Sequence, residues 1–336
     1  MAESTDYGDI SPRTAAYASK RLLKRAIPYL VIEKFGQPRP LPRKHSDTIT
    51  FRRFERFPHT PTPLTEGVTP SARKLQTTDI KAVLKQYGDR IQITDKIQDT
   101  HEDPVLSEAV DILGEQSAQM LETVRFHVIR AGTNVFYAGN VASRDKVVGT
   151  VDLDLQRRIM RQLKRQDARK MTRVIKSTPS YATQPVNACY IAICHPDCEN
   201  DIRDIKGFTP VENYGTMPPF ESEVGKVEDM RYVTSTILEG WEGEGGTISG
   251  EEAGKAAVLS TGGEKADVYP ILYVAKDAYG IIPLKGEGAV RPMVVNPKPS
   301  DSDPLAQRGH AGWKAYQTAC ILNDAWMVRA EVAVSS

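Results

Sequence analysis

The stretch from residue 104 to residue 131 constrains this chain more than any other, because helix signals agree at both of its ends. Asp103 sits where an N-cap belongs, Pro104 at the first helical position, and Gly132 just past the finish. A side-chain oxygen there satisfies orphan N–H groups, and a glycine stops the helix without a Cβ clash. Between them Val105, Ala109, Ile112, Leu113, Met120, Val124 and Val128 recur largely at three- and four-residue steps, which predicts one apolar stripe. Glu102, Asp103 and Glu108 crowd the start and Arg125, His127 and Arg130 the end, in the sense the helix dipole favours. At 1.5 Å per residue such a helix is roughly 40 Å long. It reads as a beam around which the rest must be built.

The 336 residues suffice for two domains or one elaborated domain with a real core. With 40% hydrophobic and 26% charged residues, the composition is that of a globular protein. No apolar run approaches the roughly 18 residues that span a bilayer, so no membrane partner is expected. Glu3, Asp6 and Asp9 in the opening ten residues do not read as a secretory signal. There are 4 cysteines, and Cys189, Cys194 and Cys198 lie close together; that is no disulfide framework, and it points to a reducing compartment. The net charge of +1 hides a polarised distribution: residues 11–60 hold 12 Lys or Arg against 3 acids, and residues 221–267 hold 11 acids against 4 bases. Head-to-tail self-association would use that arrangement.

Residues 13–34 predict an amphipathic helix, with Leu22, Leu23, Ala26, Leu30 and Val31 on one face, Lys20, Arg21, Lys24 and Arg25 on another, and a break at Pro28. Pro38, Pro40 and Pro42 then force extended backbone. The chain thus begins as a reaching arm. Residues 48–57 read as a strand, ended by Pro58, Pro61 and Pro63. A second strand carries Ile80, Ala82 and Leu84 on one face; Tyr87-Gly88-Asp89 predicts a turn, and residues 90–95 continue as strand. Together these predict a long projecting hairpin, an aggregation hazard unless a partner chain covers it. Residues 152–171 predict a second helix with Leu155, Ile159 and Leu163 inward and a heavily basic remainder. Strands follow near 173–177, 188–195, 230–237 and 268–275, with a short helix near 196–205 and two strand-like runs flanking Asn323-Asp324. The Gly- and Glu-rich residues 239–265 read as an exposed flexible insertion.

No constellation for catalysis emerges. Cys189 and Cys194 are five positions apart on one strand and so point to opposite faces, which suits buried thiols better than a metal site. The segment GEEAGKA (residues 250–256) is one residue short of a phosphate loop and has Ala256 where magnesium needs a hydroxyl. His101, Glu102 and Asp103 suit capping better than acid–base work. The basic arm and the basic helix allow non-specific contact with DNA, but no module for sequence readout is present.

The chain resembles the major capsid proteins of tailed double-stranded DNA bacteriophages, specifically the coat-protein family of short-tailed phages. The resemblance rests on collinear strings: RTAAYASKRLLKRAIPYLVIEKFGQ (13–37), PLTEGVTP (63–70), LKQYGDRIQITD (84–95), THEDPVLSEAVDILGEQ (100–116), KDAYGIIPLKGEGAV (276–290) and NPKPSDSDPLAQRGHAGWKAYQTACILNDAWMVRAEVA (296–333). It implies an α+β chain with the Hong Kong 97-type capsid fold. Residues 1–46 would be the N-terminal arm, 47–96 the extended loop, 97–145 a peripheral domain with the spine helix, 146–290 mostly the axial domain, and 291–336 a return to the peripheral domain. The implied function is a non-enzymatic shell, without cofactor or metal, that self-assembles as pentamers and hexamers around phage DNA. Scaffold, portal and decoration proteins are the further partners, and the virion is its place after assembly in the host cytoplasm. Candidate interface residues are Arg21, Lys24, Arg25, Arg52, Arg53, Arg56 and Glu66. An encapsulin-like compartment shell and a DNA-binding accessory protein are the rival readings.

Overall fold

The computed structural model describes residues 30–44, 46–58, 60–61, 63–64, 66–69, 71–94, 105–175, 183–215, 218–248, 258–285, 290–295, 299, 304–305 and 307–336. In chain order its elements are α1 (Ile32–Phe35), β1 (Gln37–Pro38), β2 (Thr48–Phe54), β3 (Thr77–Val83), β4 (Lys85–Thr94), α2 (Val105–Arg130) and β5 (Val135–Tyr137). Then come α3 (Leu153–Arg165), β6 (Met171–Ile175), β7 (Thr183–Cys194), α4 (Glu199–Arg203), β8 (Phe208–Pro210), β9 (Glu223–Val227) and β10 (Met230–Thr234). The last are β11 (Val268–Val274), β12 (Tyr279–Pro283), β13 (Arg291–Val295), β14 (Arg308–Ile321) and β15 (Met327–Ala333). Few helices and many strands make this an α+β fold.

Among the described residues the strands form three sheets. Eight belong to one, in the order β5-β15-β11-β7-β10-β9-β8 with β6 on β7; five belong to another, β1-β12-β14-β13 with β4 also on β14; β2 and β3 pair alone. The larger sheet is covered on both faces, which is why its central strands are nearly continuous apolar runs. On one face Tyr190, Ala192 and Cys194 pack with Leu155, Ile159 and Leu163 of α3. On the other Cys189, Ile191 and Ile193 meet Phe126 and Ile129 of α2, Ile32 and Phe35 of α1, and Tyr279 and Ile281 of β12. Cys189 and Cys194 thus do point to opposite faces.

The long helix forms as predicted from Val105 onward; its expected caps Asp103 and Pro104 lie outside the described residues. Gly132 follows because a Cβ there would sit 2.9 Å from Asp324 Oδ1, whose carboxylate accepts the Thr133 N–H. The stripe is offset from the predicted one. Ile112 is 57% exposed, and the buried line runs through Ala109, Leu113, Ala118, Leu121, Phe126 and Ile129.

Three further expectations need correction. Tyr87-Gly88-Asp89 is no turn: β4 runs straight through it and pairs with β14 from Thr94↔Arg308 to Lys85↔Gln317. The hairpin is instead β2 with β3. Helix α3, capped by Asp152 accepting from Leu155 N at 2.7 Å, ends at Arg165 rather than near residue 171, because Asp167 adopts φ 51° and turns the chain into β6. The ends of the 239–265 segment are packed, not loose. Gly245 and Gly246 are buried and donate to Ala266 O and Val147 O, while Arg144 stacks 3.6 Å from the Trp241 ring centroid.

Candidate assembly interface

The β2–β3 hairpin pairs Thr48↔Val83 through Phe54↔Thr77. Its inner residues Ile49, Phe51, Ile80 and Ala82 pack on Leu41, Ile282, Cys320 and Leu322. Of the predicted arginines on the strand, Arg52 falls on the outer face and Arg53 on the same face as Ile49 and Phe51. Arg52 lies opposite Asp79 and grips it with both arms of the fork, Nε to Oδ1 at 2.9 Å and Nη2 to Oδ2 at 3.0 Å, which holds the Asp79 carboxyl below its usual range. Arg56 pairs with Asp167, beyond the end of α3. Arg53 is exposed and has no side-chain partner among the described residues. Glu66 is exposed in the connection between the two strands. Arg21, Lys24 and Arg25 lie outside the described residues.

Between Phe54 and Thr77 the described residues are exposed. Phe54 and Leu75 are 60% exposed and Leu64 73%, with Phe57 and Val68 exposed as well. These five apolar side chains thus lie exposed on one connecting segment rather than in the core.

Residues 30–41 are tied to the body in a way the sequence reading missed. Arg125 is 1% exposed and meets Glu122 Oε1 at 2.7 Å and Glu33 Oε2 at 2.7 Å. It also donates to Gln317 Oε1 at 2.5 Å. Glu122 in turn accepts Ile32 N at 2.7 Å and Glu33 N at 3.2 Å, and the Tyr279 hydroxyl donates to Ile32 O at 2.6 Å. Burial pushes Glu122 above the ordinary glutamate range, against the pull of Arg125 and the Ile32 N–H. In the sequence Arg125 is visible only as a charge near the end of the helix, and nothing local tells a dipole partner from a buried clamp. From Gln37 onward β1 pairs in parallel with β12, and Leu41 N donates to Pro283 O, so the extended backbone that the prolines predict is used as a sheet edge.

Part of the basic surface expected on α3 and just beyond it is engaged by neighbouring side chains. Arg157 binds Glu228, Arg158 binds Asn140, and Lys164 and Lys170 share Asp229. Arg165 and Arg169 are exposed, on the wall of a cleft of about 830 Å³ between the hairpin and the body. All four cysteines are free and buried; burial raises the Cys189 thiol to about 11 and Cys194 and Cys198 further. Among the described residues no group of three or more His, Cys, Asp or Glu side chains could hold a metal ion, and no helix is long and apolar enough to cross a membrane.

Among curated proteins none matches the chain in sequence. Solved structures do match in fold. The capsid of Ralstonia phage GP4 aligns with a TM-score of 0.67 at 12% identity, over 91% of this chain and 91% of that one. The head structure of Helicobacter pylori bacteriophage KHP40 gives 0.58 at 10% identity, over 89% and 87%. The holo-SrpI encapsulin complex from Synechococcus elongatus PCC 7942 gives 0.53 at 10%, over 89% and 86%. These likenesses are of fold, the Hong Kong 97-type capsid fold. The sequence profile of the family described as phage capsid protein matches residues 77–279. That is more than half of the chain, and with the fold shared by tailed-phage heads it means that this protein belongs to the phage capsid protein family, as a major capsid protein that forms the shell.

Proposed function

We propose that copies of this chain associate as pentamers and hexamers and close an icosahedral shell around phage DNA, with no catalytic step. One observation carries the reading beyond family membership. The projecting 55–76 segment exposes Leu64, Val68 and Leu75, a surface explained by burial against a neighbouring copy. In this arrangement α2 is the spine. Residues 146–290 supply most of the axial domain, with strands β6 to β11 of the larger sheet, and 97–145 with 291–336 the peripheral domain. The arm (1–46) and the loop (47–96) reach across to neighbours. Many modest contacts repeated around a closed ring add cooperatively.

Arg53 and Glu66 are the interface residues whose charges are free to pair between subunits, and Arg21, Lys24 and Arg25 act from the arm. Arg52 and Arg56 serve instead to stiffen the hairpin and tie it to the body. Scaffold, portal and decoration proteins, and DNA held without sequence readout, complete the partners; assembly takes place in the host cytoplasm before the virion is released. Light scattering of the purified chain, with electron micrographs of the same fractions, tests the reading. Capsomer rings or closed shells are expected. A monomer or dimer at every salt and protein concentration would overturn assembly as a property of the chain alone.

A further inference from the structure

The cleft between the hairpin and the body gathers arginines from three separate parts of the chain. Arg39 follows β1, Arg53 lies on β2, and Arg165 and Arg169 flank the turn after α3. All four are exposed, and among the described residues none has a side-chain partner. The other charges on the walls are already used or few. Arg52 and Arg56 are held by Asp79 and Asp167, Glu55 accepts from Thr78, and Asp277 remains. Four unpaired guanidiniums against Glu55 and Asp277 leave the cleft with a surplus of two positive charges. Its apolar walls include Phe51, Phe54 and Trp326, so a guest must bring separated carboxylates and some apolar surface. Glu55 and Asp277 repel any anion brought against them, so a guest with a few spaced carboxylates fits better than a continuous phosphate backbone.

The same chain carries a matching element. The acidic stretch around Trp241 is held rigidly: Arg144 and Arg130 lie 3.6 and 4.3 Å from its ring centroid, and Trp241 and Val268 exchange backbone hydrogen bonds in both directions. Glu244 is spent on Arg144. Glu242 and Glu264 are exposed and have no side-chain partner among the described residues, and glycines at 240 and 243 separate the acids along the backbone. Bidentate carboxylate–guanidinium pairing suits such a guest.

We propose that the basic cleft of one copy receives the acidic surface of a second copy that carries Glu242 and Glu264, so that Arg53 and Arg169 pair with these two carboxylates across the subunit boundary. This rests on the self-assembly reading and names the pair of surfaces that makes it directional. It also gives the polarised charge of the chain a use at one defined contact.

The test has two arms. In the first, Arg53→Glu with Arg169→Glu, Glu242→Lys with Glu264→Lys, and all four together are compared with the parent for shell yield, with circular dichroism confirming the fold of each. Each double variant is expected to need about tenfold or more protein to assemble, and the quadruple variant to recover most of the loss. Double variants that assemble like the parent, or a quadruple variant no better than either double, would overturn the proposal.

The second arm does not need closed shells. Arg53→Cys chains are mixed with Glu242→Cys chains under mild oxidation, where the native thiols are buried. Preferential 53–242 cross-links over 53–53 and 242–242 are expected, and statistical mixing overturns the pairing. Shells that form without that preference reject the contact and keep the assembly reading; the cross-link without shells does the reverse. Loss of binding to a short single-stranded DNA in the cleft double variant, with unchanged shell yield, would make the cleft a nucleic-acid site instead.

Discussion

At the scale of single residues, the chain's most demanding feature is the buried cluster of Glu33, Glu122 and Arg125. Two carboxylates share one guanidinium where Glu122 and Arg125 are 0% and 1% exposed. Removing the guanidinium leaves both carboxylates without a counter-ion in a dry site. Arg125→Met is therefore expected to destabilise the unassembled subunit by roughly 3–5 kcal/mol, read as a lower urea midpoint. An unchanged midpoint would mean that the cluster is hydrated. The proton balance gives a second prediction. Glu122 has its folded value raised by burial, so the folded state holds its proton more tightly than the unfolded chain does. That contribution is fully present below the ordinary glutamate value and is lost as pH rises through the raised one. Stability of the parent should fall across that window, and Glu122→Gln should flatten the slope there; urea titrations at several pH values decide it. An identical slope in both proteins would assign the pH dependence to other groups.

At the scale of elements, legibility followed the range of the forces involved. The long helix and the α3 stripe of Leu155, Ile159 and Leu163 were readable because capping and periodicity are local, and those three side chains are buried as expected. The β4 segment was misread because Tyr87-Gly88-Asp89 has the composition of a turn, while Gly88 serves a contact more than two hundred residues away. A Cβ at Gly88 would lie 2.7 Å from Trp313 O, and one at Gly312 would lie 2.7 Å from Asp89 O. These glycines let β4 and β14 approach, a long-range requirement that no window of sequence displays. Gly312→Ala should force the two strands apart and cost about 1–3 kcal/mol. Faster hydrogen exchange at β4 amides, with α3 amides unchanged, is the expected signature; uniform protection would show that the ladder absorbs the methyl group. Among the interface candidates, sequence alone does not tell Arg53 from Arg52, whose partner Asp79 becomes its neighbour only through the hairpin register. Arg165 and Arg169 are legible only as part of a basic helix surface, because their grouping with Arg39 and Arg53 in one cleft depends on the tertiary fold.

At the scale of the whole molecule, the question is whether the two large sheets behave as separable bodies or as one. The chain crosses between them repeatedly: β11 lies in the larger sheet and β12 in the smaller, as do β15 and β14. The core that meets α2 also joins them, since Phe126 and Ile129 belong to one buried cluster with Ile191, Ile193 and Leu272 of the larger sheet and Tyr279 and Ile281 of the smaller. A shell subunit has reason to be built this way, because a force received at one contact must cross the body without bending it. Phe126→Ala tests the idea, since that ring is 1% exposed and lies at the junction. Truncation should cost roughly 3–5 kcal/mol while leaving unfolding a single transition, with near- and far-ultraviolet dichroism shifting together. The β2–β3 hairpin, whose core is the separate small cluster with Leu41 and Ile282, should keep its local exchange rates. If the two optical transitions separate instead, the sheets fold as independent units, and the stiffness of the subunit would have to come from its neighbours in the shell rather than from the shared core around the long helix.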